Sequence, residues 1–341
     1  MSYIAPTRQK KLKKLILIAY DIIHQWGFGY FFYIALKEWK EKGISIFYPD
    51  QKPVPLFDRI SFQEQYKKYL IFLEKIFSKD DTDSKFPQIT FLVNDNSTNF
   101  LNLQHLLKSF QEQSLKNWNL ILIGNNTNNL TLPTDKRISL ISNSEISDKI
   151  NSLESDFVGF LDSNVVLSSP NSLEQFSKFL KKNPNSDIIY SDNDSVDANG
   201  YRTNPFFKPD WSSTTFYSFD YISSLYIVKK DILKKIIKDK VLSDFFYDLL
   251  LNCIDYSYKI NHITFPLYSI TNLSSSISTN YKKNILKKHF KQNKIDAKIE
   301  GGLLPKTFHI KYDLKSQPKV SIFIPTKNNR EILQRCIKSI E

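Results

Sequence analysis

The chain has 341 residues, with 47 Lys+Arg against 35 Asp+Glu for a formal charge of +12, and 41% hydrophobic residues including 26 Phe and 18 Tyr. At ~150 residues per domain this length allows about two domains, each able to bury an ordinary core. The apolar and aromatic content excludes a disordered chain, 8 Gly exclude collagen-like repeats, and 2 Cys exclude a disulfide scaffold or a Cys-rich zinc site.

Leu12, Leu15, Ile16, Ala19, Ile22 and Ile23 recur at helical spacing. Gly27 and Gly29 break that pattern before a second, aromatic-rich helix from Tyr30 to about Lys42, ended by Gly43. The apolar stretch Ile22 to Leu36, bounded by Asp21 and Lys37, falls short of the ~18–20 residues a membrane span needs. Asp21 and the lack of a small-residue cleavage site argue against a signal peptide. Lys10, Lys11, Lys13 and Lys14 with Trp26, Phe28 and Tyr30 suit a helix lying in a membrane interface, or a helical hairpin packed on the domain behind it. Pro49, Pro53 and Pro55 punctuate a connector, Phe62 to Phe77 has helical periodicity, and the charged run Lys79–Lys85 marks a domain boundary.

Beyond Pro87 the texture changes. Short apolar strands are expected at Ile89–Val93, Leu120–Ile123, Ile138–Ile141, Phe157–Leu161 and Ile188–Tyr190. They alternate with helices at Leu101–Ser114, around Ser147–Leu153 and at Ser172–Lys182. Such alternation implies an α/β fold with a mixed, mainly parallel sheet covered by helices on both faces. Near the C-terminus Pro318–Asn329 and Leu333–Glu341 repeat the pattern of Pro87–Asn94 and Leu103–Gln111, including the Leu-Gln and Lys-Ser pairs. The same unit therefore begins twice. The expected organisation is a helical N-terminal region and connector over 1–85, an α/β domain over 86–300, and a linker with the start of a second unit over 301–341.

The positive charge is clustered. Lys229, Lys230, Lys234, Lys235, Lys238 and Lys240 form one group, and Lys282, Lys283, Lys287, Lys288, Lys291 and Lys294 another at helical spacing. Such stripes neutralise nucleic-acid phosphates, anionic headgroups or a phosphorylated substrate, or are simply solvated helix faces. No zinc finger, RNP-type strand or basic zipper accompanies them, so nucleic acid is the weakest of these partners.

In α/β sheets ligands collect at the carboxyl ends of strands. Asp162-Ser-Asn164 follows one expected strand, Asp192-Asn-Asp194 with Asp197 another, and the Asn-rich loop Asn125–Asn129 a third. Clustered oxygen ligands suit a divalent cation bridging a diphosphate. The same residue types also build Asx turns.

The segments Asp156-Phe-Val-Gly-Phe-Leu-Asp-Ser-Asn-Val-Val-Leu167, Ile188–Asp197, Asn204-Pro-Phe-Phe-Lys-Pro-Asp-Trp211, Asp220-Tyr-Ile222 and Ile263-Thr-Phe-Pro-Leu-Tyr268 form an ordered series. Over roughly residues 86–341 this series resembles the family-2 glycosyltransferases, with Asp296–Pro305 and Val320–Asn329 similar to the linker and second-domain start of tandem members. The resemblance implies a GT-A (Rossmann-like) fold and inverting transfer of a sugar from a nucleotide-sugar donor to a surface-polysaccharide glycan or lipid-linked acceptor. It further implies a divalent cation (Mg or Mn) and a cytoplasmic location, with peripheral contact at the inner membrane face.

Carried over by position, the resemblance assigns donor binding to Asn94, Asn125 and Asp162, and metal binding to Asp162 and Asn164. Asp192, Asp194 and Trp211 fall on the acceptor side; no carboxylate matches the base position itself, and in a working enzyme Asp244 or Asp248 would serve as catalytic base. The chain also departs from the family pattern. The second carboxylate of the D-x-D motif is Asn164, followed by Val165, and the Asp-Asp-Gly-Ser turn is matched by Gly124-Asn-Asn-Thr127. The base position ahead of Tyr247-Asp248-Leu249 holds Phe246, and the late His is Ser269. An amide oxygen ligates a cation without supplying charge. Three readings follow: a working glycosyltransferase, a degenerate domain acting as acceptor-binding or scaffold module for an active second domain, and a basic membrane- or nucleic-acid-binding protein.

Overall fold

A computed structural model of the chain describes residues 62–77, 86–94, 100–124, 134–197, 199–239, 246–271, 278–314, 316 and 319–340. The chain divides into two compact units, 1–68 and 69–341. The expected N-terminal helix pair lies outside the described residues, and the first described element is the helix α1 (Phe62–Phe77).

The elements follow the sequence pattern closely through the first half. They run β1 (Ile89–Asn94), α2 (Phe100–Gln111), β2 (Trp118–Ile123), β3 (Ile138–Ile141), α3 (Ile146–Ser152), β4 (Phe157–Asp162), β5 (Val165–Leu167) and α4 (Ser172–Lys182). Then come β6 (Ile188–Val196), β7 (Arg202–Phe206), α5 (Ser213–Ser218), β8 (Leu225–Lys229), α6 (Lys230–Asp239), α7 (Phe246–Asp255) and β9 (Ile260–Thr271). Last are α8 (Thr279–Gln292), β10 (Ala297–Gly301), β11 (Phe308–Tyr312) and α9 (Arg330–Ile340).

Among the described residues one large sheet has the order β3-β2-β1-β4-β8-β6-β9-β5, with β7 added to β6. Strands β3, β2, β1 and β4 are parallel, β8 runs against both β4 and β6, and β6 and β9 are parallel again. This is the mixed α/β sheet flanked by helices that the alternation implies.

Side chains on a strand alternate between faces, and both faces here are covered. In β1, Ile89, Phe91 and Val93 join Leu73 and Phe77 of α1, Leu103, Leu106 and Phe110 of α2, and Phe176 of α4. Leu92 points the other way, into a core shared with Ile150 of α3, Leu233 of α6, Leu250 of α7 and Leu286 of α8. Burying each such side chain contributes about 1.5–3 kcal/mol, which is why these strands read as continuous apolar runs.

Two contacts fix the sheet locally. Gly159 of β4 lies opposite Phe91 of β1, and a Cβ built on it would meet Phe91 Cδ1 at 2.3 Å. The missing side chain is thus the space the phenyl ring fills. At the start of β2, the buried Trp118 meets Phe110 edge-on at 5.4 Å, and the Arg137 guanidinium covers its ring at 3.8 Å. Asp135 in turn holds Arg137 at 2.7 Å.

The structure departs from the sequence pattern in two places. β6 continues through Ser191–Val196, so Asp192 and Asp194 lie inside a strand rather than in a loop after it. The Asx turn forms later, where Asp197 Oδ1 accepts the Asn199 and Tyr201 N–H groups at 2.9 Å. The strand expected near Val320 does not form: residues 319–326 have no regular structure, and Val320 and Phe323 are exposed. A strand needs neighbours for its backbone N–H and C=O groups, and no described residue supplies one there. No residue of α9 is buried. The hairpin β10–β11, in contrast, packs Ile299 and Phe308 into the main core. No helix among the described residues is long and apolar enough to cross a membrane.

Candidate functional site

Strands β1 and β4 end together, with Asn94 in register with Asp162 on one side and with Ile123 of β2 on the other. The parallel arrangement therefore gathers at one sheet end what the sequence separates by 68 positions. Gly124 follows Ile123, and Asn125 lies outside the described residues.

The turn 220–224 closes against Asp162, whose N–H donates to the Ser224 carbonyl at 3.2 Å. Asp220 organises this turn. Its Oδ1 accepts the Ile222 and Ser223 N–H groups at 3.3 and 3.0 Å, while Oδ2 accepts the Ser223 hydroxyl and the Lys282 ammonium. Lys282 belongs to the first turn of α8 and lies 5.2 Å over the ring of Tyr247 on α7. Burial opposes ionisation of Asp220, yet Lys282 and Ser223 hold its carboxyl below the usual range. Desolvation instead pushes Asp162 up to about 7, with Lys282 pulling it down and Asp220 pushing it up. Two carboxylates and one ammonium thus share a single electrostatic site.

The remaining expected residues are placed differently. The carbonyl of Asn164 accepts Thr271 N–H at 2.9 Å and the Thr271 hydroxyl at 3.1 Å, pinning the β4–β5 turn to the end of β9. Asp248 sits in the first turn of α7, 3.5 Å from Lys288. Phe246, at the base position of the resemblance, is buried, with its ring edge-on to Phe160 and its carbonyl accepting the Tyr226 hydroxyl at 2.7 Å. Asp244 lies outside the described residues. Trp211 is half-buried and packs against Phe216 at 5.5 Å.

Asp192 and Asp194 turn inward. Asp192 Oδ1 accepts the Lys208 N–H and bonds His262 Nε2, both at 2.7 Å. His262 stacks on Tyr190 at 4.9 Å. Asp194 pairs with Arg202 at 2.6 Å and accepts the Ser269 hydroxyl, and Arg202 also donates to the Pro266 carbonyl at 2.9 Å. The Lys208 ammonium is buried and donates to the Tyr268 hydroxyl at 2.6 Å. Burial lowers it to about 7, against the opposing pull of Asp192 and Asp220. The Asp192–His262 and Asp194–Ser269 contacts brace β6 against β9.

The pattern of residue types did not single out Lys282, Asp220, Lys208 or His262. Asp220-Tyr-Ile-Ser223 carries a turn signal, an Asp followed three positions later by Ser, that marks its bonding role. Lys282 has no such signal, being one of six lysines in a helical stripe. Among the described residues, no group of three or more His, Cys, Asp or Glu is placed to hold a metal ion.

No family model matches the chain. The O-antigen biosynthesis protein RfbC of Myxococcus xanthus is 30% identical over 196 residues, which cover 54% of this chain and 15% of that protein. The uncharacterized protein y4gI of Sinorhizobium fredii (strain NBRC 101917 / NGR234) is 25% identical over 268 residues, 70% of this chain and 29% of that protein. The chain thus spans less than a third of the length of these curated relatives. Among solved structures, residues 1–349 of S. aureus TarS in complex with UDP-GlcNAc align with a TM-score of 0.43 at 14% identity, covering 60% of this chain and 66% of that one. A longer S. aureus TarS structure gives a TM-score of 0.41 at 13% identity, over 60% and 43% of the two chains. Scores this low carry neither the fold nor a ligand.

Proposed function

We propose that residues 86–300 form a GT-A-type, family-2 glycosyltransferase domain that takes a nucleotide-sugar donor at the carboxyl ends of β1, β2 and β4. Its acceptor is a surface-polysaccharide glycan or its lipid-linked precursor, and residues 301–341 carry the linker and opening of a second such unit. The observation that carries this reading is the register that sets Asn94 beside Asp162, next to the Asp220–Lys282 pair. The ordered series of family-like segments supports the reaction class, and the O-antigen role named for the Myxococcus relative supports the acceptor class.

In this reading Asp162, Asn94 and Asn125 bind the donor, and Trp211 bounds the acceptor side. Asp192 and Asp194 set that side's backbone from within the sheet rather than touching the acceptor. Asp248 or Asp244 takes the acceptor's hydroxyl proton, since inverting transfer needs a base within hydrogen-bond reach. The lysines of α6 and α8 suit the anionic inner face of a membrane, where lipid-linked acceptors reside. A second reading, a degenerate acceptor-binding or scaffold module, is favoured by the burial of Phe246 at the base position.

Calorimetric titration with UDP, GDP and dTDP tests the site. One of them is expected to bind, and Asp162→Ala to weaken it by about tenfold or more, equivalent to ~1.4 kcal/mol. If none binds, the donor-site reading fails. A donor that binds but is not turned over with any acceptor, whether or not Asp248 is replaced by Asn, selects the scaffold reading.

A further inference from the structure

The divalent cation that the resemblance implies does not fit the described residues, among which no group of three or more His, Cys, Asp or Glu is placed to hold one. An ionised carboxylate offers about four acceptor positions. Those of Asp220 are filled by Ile222 N–H, Ser223 N–H, the Ser223 hydroxyl and the Lys282 ammonium. Among the described residues that leaves Asp162 and the uncharged side-chain amide of Asn164, a residue whose backbone carbonyl Thr271 holds in the β4–β5 turn. Hard divalent cations seek several oxygen ligands, with carboxylate charge among them. The charge such an ion would supply is instead present as an ammonium group.

We propose that Lys282 takes the place of a divalent cation in this chain, its ammonium meeting the diphosphate of a nucleotide donor directly, so that donor binding is metal-independent. This rests on the nucleotide-sugar reading above. Three features place Lys282 for the role. Asp220 uses one of its three N–H donors and fixes the group, while the side chain keeps 24% exposure through which the other two reach a ligand. The ring of Tyr247 lies beneath it at 5.2 Å and limits its swing. Its field reaches Asp162, whose N–H is joined through Ser224 to the turn that Asp220 organises. A lysine in the first turn of a helix gains nothing from the helix dipole, so Asp220 and the Tyr247 face are what hold it there. Lysine binds phosphate as a point charge, and it needs no exchangeable ion to do so.

The test compares UDP, GDP and dTDP, each against its own nucleoside, by calorimetry on the full chain in EDTA and in Mn²⁺. The expected result is a diphosphate affinity equal within about twofold in the two buffers. Lys282→Met is then expected to cost about tenfold for the diphosphate and less than about twofold for the nucleoside, with Lys282→Arg restoring the loss. Asp220→Asn/Lys282→Met removes both charges together, so a folding defect from a stranded Asp220 is told apart from a lost ligand contact. Diphosphate binding that needs Mn²⁺ and ignores Lys282→Met overturns the inference while leaving the donor reading intact. Failure of every nucleotide to bind a folded chain overturns both.

Discussion

Lys208 is a cation enclosed where a hydrophobic side chain would be expected, with a tyrosine hydroxyl rather than a carboxylate at its ammonium. An unfolded lysine titrates near ~10.4, whereas burial holds this one at about 7. Between those values the unfolded chain binds the extra proton, so stability rises with pH across that window, and the penalty is complete below about pH 7. Lys208→Met keeps the stem's volume and the backbone bond to Asp192. It should stabilise the fold at about pH 6 by on the order of a few kcal/mol, and the gain should shrink toward about pH 10. Urea midpoints at the two pH values measure this, and a gain independent of pH would show that the ammonium is not the source. Nothing in Phe206-Phe207-Lys208-Pro209 distinguishes this lysine from a surface one. The reason is physical: its environment is made by Tyr268 and Asp192, residues 60 and 16 positions away.

Strands with both faces buried were legible because their sequence is apolar at every position. Leu120–Ile123 and Phe157–Leu161 needed no knowledge of partners. The second half of β6 was not legible, because Ser191–Asp194 is polar and becomes strand only when Lys208, His262, Arg202 and Ser269 arrive from elsewhere to satisfy it. The site divides the same way. Asp162 and Asn94 follow from strand ends visible in the sequence, whereas Asp220 and Lys282 form a pair 62 positions apart that no local pattern announces. The β1–β4 pairing makes a sharper demand, since the Phe91 ring occupies the space of a side chain at Gly159. Gly159→Ala is expected to cost at least about 1–3 kcal/mol through overpacking in a sheet that cannot shift. Phe91→Leu in the same background should recover part of that loss, because the two sites couple through one volume. Denaturant unfolding of the two single variants and the double variant measures the coupling, and strict additivity would refute it.

At the scale of the molecule, the second unit is two cores separated by one sheet, with a tail outside both. Val320, Ile322, Phe323, Ile332, Ile337 and Ile340 are exposed, and α9 buries nothing. Ending the chain after Leu314 should leave the unfolding free energy within about 0.5 kcal/mol, as for surface changes generally. It should also lower self-association seen by sedimentation, since exposed apolar patches drive it. A large drop in stability would show that the tail contributes to a core. The two cores also differ in what light they return. Trp118 lies in the core shared with α2, capped by a guanidinium, while Trp211 packs beside Phe216 on the opposite side of the sheet. Each face therefore carries its own chromophore. With Trp26 and Trp39 replaced, the emission of the remaining two indoles gives a separate optical record of each face, and so of whether the sheet's two sides melt as one body.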